Sequence, residues 1–149
     1  MGRLSMPSIK FFEEELKYMQ IFEALTSART RDCVMDHDRG RILFLVEKGD
    51  MGLAIGKNGS NIKRINKLLG KNVEIVEAAE DPEGLIRNSL LPAQVQAVKL
   101  SKTVDGKIIA YVTVNPKDKG IAIGKNGNKI ARARIFAKRH FNIDDVIIR

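Results

Sequence analysis

Two segments of this chain are nearly the same. Residues 52–65 read GLAIGKNGSNIKRI and residues 120–133 read GIAIGKNGNKIARA, identical at nine of fourteen positions with an offset of 68 residues. A repeat constrains a fold more than any local propensity, because each copy must build the same supersecondary unit. With 149 residues the chain has room for two small units of one design. An Asn-Gly pair alone would suggest a hairpin turn. Here both pairs are flanked by helical rather than alternating patterns, so a corner between helices is the stronger reading.

The flanks repeat as well. Residues 9–27 read as an amphipathic helix with Phe12, Leu16 and Met19 at helical spacing. Residues 31–37 and 41–47 are β-rich runs split by Asp38-Arg39-Gly40. A short helix over 50–55 leads into GKNG. A helix over 60–69 follows with Ile62, Ile65 and Leu69 inward and Lys63, Arg64 and Lys67 outward; Gly70 stops it, and 73–78 reads as a strand. In the second half Asp81-Pro82 is an N-cap followed by proline at the first helical position, opening a helix over about 82–91. Strands at 95–102 and 107–114 are split by Val104-Asp105-Gly106. A short helix from Lys117 to Ile123 leads to the second GKNG, then a helix over 128–140 with Ile130, Ala133, Ala137 and Phe141 as its apolar stripe, and a last strand at 143–148. Each half thus reads helix–strand–strand–helix–helix–strand, an α+β arrangement, with a first domain over 1–80 and a second over 81–149. The junction at 79–81 has no Gly/Ser stretch, so a fixed relation between the domains is expected.

Charge narrows the function. Twenty-six Lys and Arg against eighteen Asp and Glu give +8. Residues 1–80 carry thirteen basic and twelve acidic side chains, whereas residues 81–149 carry thirteen and six. The window 117–139 holds eight basic residues and one acid, Asp118. That clustering is the footprint of a polyanion binder. On this count the second unit is expected to supply more of the salt-dependent affinity. With six Phe, two Tyr and no Trp, an aromatic platform for bases is disfavoured. The single Cys33 excludes an internal disulfide and a cysteine-clustered zinc site, and the two histidines, His37 and His140, are far apart; no metal or cofactor is expected. The N-terminal MGRLSMPSIK has no signal-peptide core and no apolar run is of spanning length, so a cytoplasmic protein without membrane contact is expected. Alternation would put Cys33 and His37 on one strand face and Asp36 on the other, which assembles no catalytic cluster; no catalytic residue is assigned and the chain is read as a binder, not an enzyme. His140 reads as a cap or surface residue. Glu13-Glu14-Glu15 suit a helix start.

The loop itself is suited to phosphate. Gly-x-x-Gly lets backbone approach a ligand closely, and the following helix offers free N–H groups and its positive dipole end. Lys57 and Lys125 can screen a second phosphate, and Asn58 and Asn126 tolerate the left-handed conformation of a tight turn. A P-loop is excluded by spacing: three residues separate Gly52 from Gly56, and Lys57 is followed by Asn58.

The pattern Ile55-Gly56-Lys57-Asn58-Gly59 with Ile62, matched by Ile123-Gly124-Lys125-Asn126-Gly127 with Ile130, resembles the KH-domain signature. The element order resembles the prokaryotic KH type. EKGDMGLAIGKNG through KLLGKNVEIVE, joined to a second unit, is similar to the small archaeal form of the NusA family of transcription termination/antitermination factors. The resemblance implies single-stranded RNA as partner, each unit clamping about four nucleotides. It implies backbone contacts at Gly56, Lys57, Asn58, Gly59, Lys63, Arg64, Gly124, Lys125, Asn126, Gly127, Lys129 and Arg132, and an apolar groove of Ile55, Ile62, Ile123 and Ile130. RNA polymerase or other transcription factors are the further partners the resemblance implies for the family. Bacterial members carry an N-terminal polymerase-binding domain and an OB-type domain without counterpart in this sequence, so polymerase contact is not carried over. A KH protein of ribosome assembly or RNA processing, and a protein-binding scaffold, are the alternative readings.

Overall fold

The computed structural model describes Ile9 and residues 11–149; apart from Ile9, the N-terminal stretch read above for a signal core lies outside them. From residue 11 on, the described residues divide into two compact units, 11–79 and Glu80–Arg149.

In the first unit, α1 (Glu13–Thr26) leads to an antiparallel pair, β1 (Thr30–Asp36) and β2 (Arg41–Val46). The short α2 (Met51–Ile55) and α3 (Ser60–Leu69) flank the first loop, and β3 (Asn72–Glu77) returns parallel to β2. Sheet order is β1-β2-β3. The helices cover one face of this sheet, because period-2 alternation sends Ile42, Phe44 and Val46 to that side. They meet Phe22, Ala54 and Ile65 there, with Phe22 stacked on Phe44 at 4.4 Å between ring centroids. Both rings are fully buried, each contributing roughly 1.5–3 kcal/mol from burial. Ile62 and Leu69 pack against this core as the helical spacing requires.

The second unit repeats the order. Asp81 caps α4 (Pro82–Leu90), its Oδ1 accepting from the Gly84 N–H at 2.6 Å. β4 (Val95–Lys102) pairs antiparallel with β5 (Ile108–Val114). α5 (Lys119–Ile123) and α6 (Asn128–Phe141) flank the second loop, and β6 (Asp145–Ile148) lies parallel to β5. Ile130, Ala133, Ala137 and Phe141 are all buried, as the stripe on α6 demands. No described helix is long and apolar enough to cross a membrane.

Three local readings need correction. The first helix begins at Glu13, not 9; Lys10 is outside the described residues, and Phe12 and Leu16 are exposed, the buried face being carried by Phe22 and Thr26 with Tyr18 and Met19 partly covered. Alternation holds from Asp32 to Asp36 beyond a bulge at Thr30/Asp32: Cys33 lies opposite Phe44 and Asp36 opposite Arg41, on different faces, and Asp32 and Cys33 are both buried because both faces of the sheet are covered here. His37 leaves the strand for a single 3-10 turn and is exposed, while Asp36 is taken by Arg41 at 2.8 Å. His140 is buried, not a surface cap: α6 runs to Phe141, which places the imidazole inward, 6.2 Å from the Phe136 ring.

Candidate nucleic-acid interface

The two GKNG corners are the same object built twice. Gly56 has φ 74° and ψ 170°, and Gly124 has 80° and 168°. Asn58 lies at 56° and 29°, Asn126 at 56° and 27°. In each copy the last glycine N–H closes the turn on the first glycine's carbonyl at 3.1 Å. Asparagine is one of the few non-glycine residues that enters the left-handed region at small cost, which explains its place in both loops. The first glycine has no such substitute. A Cβ on Gly56 would sit 2.8 Å from Asn61 Cγ and 2.9 Å from the Asn61 backbone N; one on Gly124 would sit 2.8 Å from the Lys129 backbone N. Absence of that carbon is what lets α2 meet α3, and α5 meet α6, around so tight a corner.

Beyond each corner a helix begins without a side-chain cap. Gly59 and Gly127 occupy the N-cap positions and have no side chain to offer the first turn. The open N–H groups and the positive end of the dipole therefore face whatever occupies the loop. Lys57, Asn58, Lys125 and Asn126 are exposed. The Lys63 side chain runs back toward the loop, its Cε 3.8 Å from where a Cβ on Gly59 would stand. The arrangement can hold phosphate by backbone donors and neutralise it by lysine.

The isoleucines expected along a groove divide into two pairs. Ile55 and Ile123 are exposed beside their loops, at 41% and 43%. Ile62 packs on the core and Ile130 is 6% exposed, so these two serve the interior. Sequence reasoning missed the partners of the exposed pair: Leu53 and Ile121, 68 residues apart like everything else in the repeat, are equally open. Their apolar character at matched positions was the signal.

Two carboxylates that position the loops were also missed. Asp50 Oδ2 accepts from the Arg29 backbone N–H at 2.9 Å and from Arg29 Nε at 3.0 Å, fastening the entry to β1 against the start of α2. Asp118, the lone acid of the basic window, accepts from the Gln94 N–H at 3.2 Å and does the same for α5. The Asp-x-Gly-x-Ala-Ile run shared by 50–55 and 118–123 carries that signal. Hydrogen bonds from the Arg29 side chain, and then from its backbone, hold the Asp50 carboxyl below its ordinary value of 3.8. A depressed carboxyl stabilises the fold above its unfolded value, and that contribution is lost as pH falls through the folded one. Thermal melting of the protein is therefore expected to fall as pH drops below about 4, and more steeply than in D50N. Parallel pH profiles for the two proteins would remove Asp50 from this role.

The cations around the loops are not equally available. Lys57, Lys63, Arg64 and Lys67 are exposed, and none has a partner among the described residues. On α6, Arg132 Nε donates to the Ser89 carbonyl at 2.8 Å and its Nη2 to the Leu91 carbonyl at 3.4 Å. Arg134 pairs with Asp145 at 3.0 Å, and Lys138 with Asp144 at 2.8 Å. The Lys138 ammonium, followed by the Ile108 N–H, holds the Asp144 carboxyl low. Lys125 and Lys129 are the cations at the second loop left without a partner among the described residues.

Known proteins share this design. Residues 17–104 match the KH domain family, and residues 82–147 match the NusA-like second KH domain. A probable transcription termination protein NusA of Halobacterium salinarum is 39% identical over 139 residues, covering 93% of this chain and 97% of its own length. The protein of the same description from Methanocaldococcus jannaschii is 33% identical over 141 residues, covering 95% of this chain and 75% of its own. The crystal structure of APE1850 superposes with a TM-score of 0.85 at 33% identity, covering 93% of this chain and all of that one.

Proposed function

This chain belongs to the KH-domain family in its NusA-like tandem form, and from that membership we propose that it binds single-stranded RNA through its two GKNG loops, in transcription elongation, termination or antitermination. The observation that carries the reading is the pair of matched loops, each opening on an uncapped helix N-terminus beside an exposed lysine. Backbone N–H groups and ammonium groups grip phosphate, and each unit spans about four nucleotides. Ile55 with Leu53, and Ile123 with Ile121, offer the apolar surface against which bases lie. Gly56, Lys57, Asn58 and Gly59, with their second-loop equivalents Gly124, Lys125, Asn126 and Gly127, form the contact set. Chemistry on the RNA is no part of this reading: Cys33 is sealed in the core, and Asp36 is held by Arg41.

A gel-shift with a short unstructured RNA, challenged by single-stranded and then by duplex RNA, tests it. The single strand should compete and the duplex should not, because an A-form helix keeps its bases stacked away from the loop groove. No shift at any protein concentration would favour a protein-binding scaffold instead. The same assay with RNAs from transcripts under synthesis, set against ribosomal precursor RNA, separates the transcription role from one in ribosome assembly or RNA processing.

A further inference from the structure

We propose that the two units grip RNA backbone over different lengths, the first along a track of cations on α3 and the second as a compact clamp at its loop, with Arg132 a positioning residue that holds α4 on α6. The proposal rests on the single-stranded RNA reading and deepens it. It reverses the ranking that simple charge counting gives.

The repeat allows a position-by-position comparison. Asn61 corresponds to Lys129, and Arg64 to Arg132. In the first unit Asn61 is the brace: its Nδ2 donates to the Leu53 carbonyl at 2.7 Å, tying α3 to α2 across the corner, while Arg64 is exposed and has no partner among the described residues. In the second unit the roles are exchanged. Arg132 is the brace, across 43 and 41 residues of sequence, and Lys129 is the cation without a partner among the described residues. The one arginine that the repeat keeps identical therefore does different work in its two copies.

The cause lies in how the preceding helices end. α1 closes itself: the Ser27 N–H donates to the Glu23 carbonyl, and Ser27 adopts the left-handed cap conformation. α4 ends at Leu90 and runs into Leu91-Pro92, and proline has no N–H with which to cap. The carbonyls of Ser89 and Leu91 are supplied by the Arg132 guanidinium instead, whose planar fork reaches both.

The remaining positions widen the difference. Lys63 and Lys67, one helical turn apart and about 6 Å along the axis, correspond to Ala131 and Ile135 in the second unit. Lys63, Arg64 and Lys67 thus line one exposed stripe of α3 leading away from the loop, while the matching stripe of α6 carries alanine, a tethered arginine and isoleucine. Of the other basic residues of α6, Arg134 and Lys138 are paired with Asp145 and Asp144. Four acids of the first unit are engaged by cations other than those of the track. Asp36 and Glu74 are engaged by Arg41, Glu47 by Arg31 and Asp50 by Arg29, all on the sheet or at its ends.

Two measurements on the full chain test this. The first follows affinity for polyuridine RNA across a salt series together with thermal melting. Each neutralised phosphate adds about −0.7 to the log–log slope for a single strand, so R64Q should flatten the slope by about 0.7 and K63Q/R64Q/K67Q by about 2. R132Q should keep the slope and lower the melting temperature. R132K serves if R132Q does not fold: it keeps a point charge but loses the fork, so it should melt earlier than wild type, whereas R64K should not. The second measurement lengthens the RNA. K125D/N126D, left with the first loop, should gain affinity as the RNA grows past about four nucleotides; K57D/N58D should level off there. An R132Q slope loss equal to that of R64Q, or equal length dependence in the two loop variants, overturns the proposal while leaving RNA binding intact. Failure of the wild-type chain to bind polyuridine or any other single strand removes the RNA reading itself.

Discussion

With aspartate at Lys57, Asn58, Lys125 and Asn126 together, RNA binding should be lost at every accessible protein concentration while the protein still folds. Each substitution pair reverses charge at the tip of a loop that otherwise offers phosphate an ammonium and an open helix N-terminus. Like charges brought together at an interface cost several kcal/mol. Since about 1.4 kcal/mol is a factor of ten, one disabled loop should weaken binding on the order of 100-fold and two should remove it. Folding should survive because all four side chains are exposed, and because aspartate, like asparagine, tolerates the left-handed conformation held at 58 and 126. Affinity and melting temperature must be read together. An unchanged affinity with both loops altered would make the GKNG corners structural only. G56A is the contrasting variant: its new carbon would lie 2.8 Å from Asn61 Cγ at a positive φ, so it should lower melting temperature and affinity together.

Most of the architecture could be read from the sequence for a reason visible in the loops. Gly-Lys-Asn-Gly fixes a corner through local backbone sterics, Gly70 and Asp81-Pro82 fix helix ends through capping, and the strands follow from apolar runs between turns; none of these needs knowledge of the rest of the fold. Two of the errors, at His140 and His37, concern residues whose fate is decided outside any local window. His140 reads as a terminal surface residue until α6 is seen to continue one residue further with its inner face turned to the core. His37 leaves the sheet because the pairing of β1 with β2 ends at Asp36 and Arg41, a register that no window on β1 alone contains.

The same limit governs the proposed binding surface. The lysine and asparagine of each loop were identifiable because their conformation is local. Whether a basic residue on the following helix is available is not local at all. Arg64 and Arg132 occupy identical places in the repeat, and only the carbonyls left by a helix ending before Pro92 separate a cation open to ligand from a structural brace. Counting charge over a window therefore overstates the second unit: three of the eight basic residues in 117–139, Arg132, Arg134 and Lys138, are already committed to carbonyl or carboxylate oxygens. Charge describes a surface only after internal pairs are subtracted.

Internal pairing also identifies a polar side chain on which the first unit's stability depends. Arg41, at the start of β2, is 2% exposed. Its Nε donates to Asp36 Oδ2 at 2.8 Å and its Nη1 to both Glu74 oxygens at 3.2 Å. One cation thus joins β1, β2 and β3 at one end of the sheet. Removing it in R41M leaves the Asp36 carboxylate buried without its counter-charge, and breaking a buried pair in this way costs about 3–5 kcal/mol. That is a large part of the roughly 5–15 kcal/mol that holds a domain folded. The penalty comes from the abandoned charge more than from the lost attraction, so D36N/R41M should recover most of it; Glu74, less deeply placed, can still reach water. Urea melts of wild type, R41M and D36N/R41M measure both steps. A loss below about 1 kcal/mol in R41M, the level of a surface pair, would mean the arginine is not the tie between the strands. Arg41 and the first loop are separated by all of β2 and α2, so the folded fraction of R41M should bind RNA with wild-type affinity, which separates the stability of this sheet from the grip of its loop.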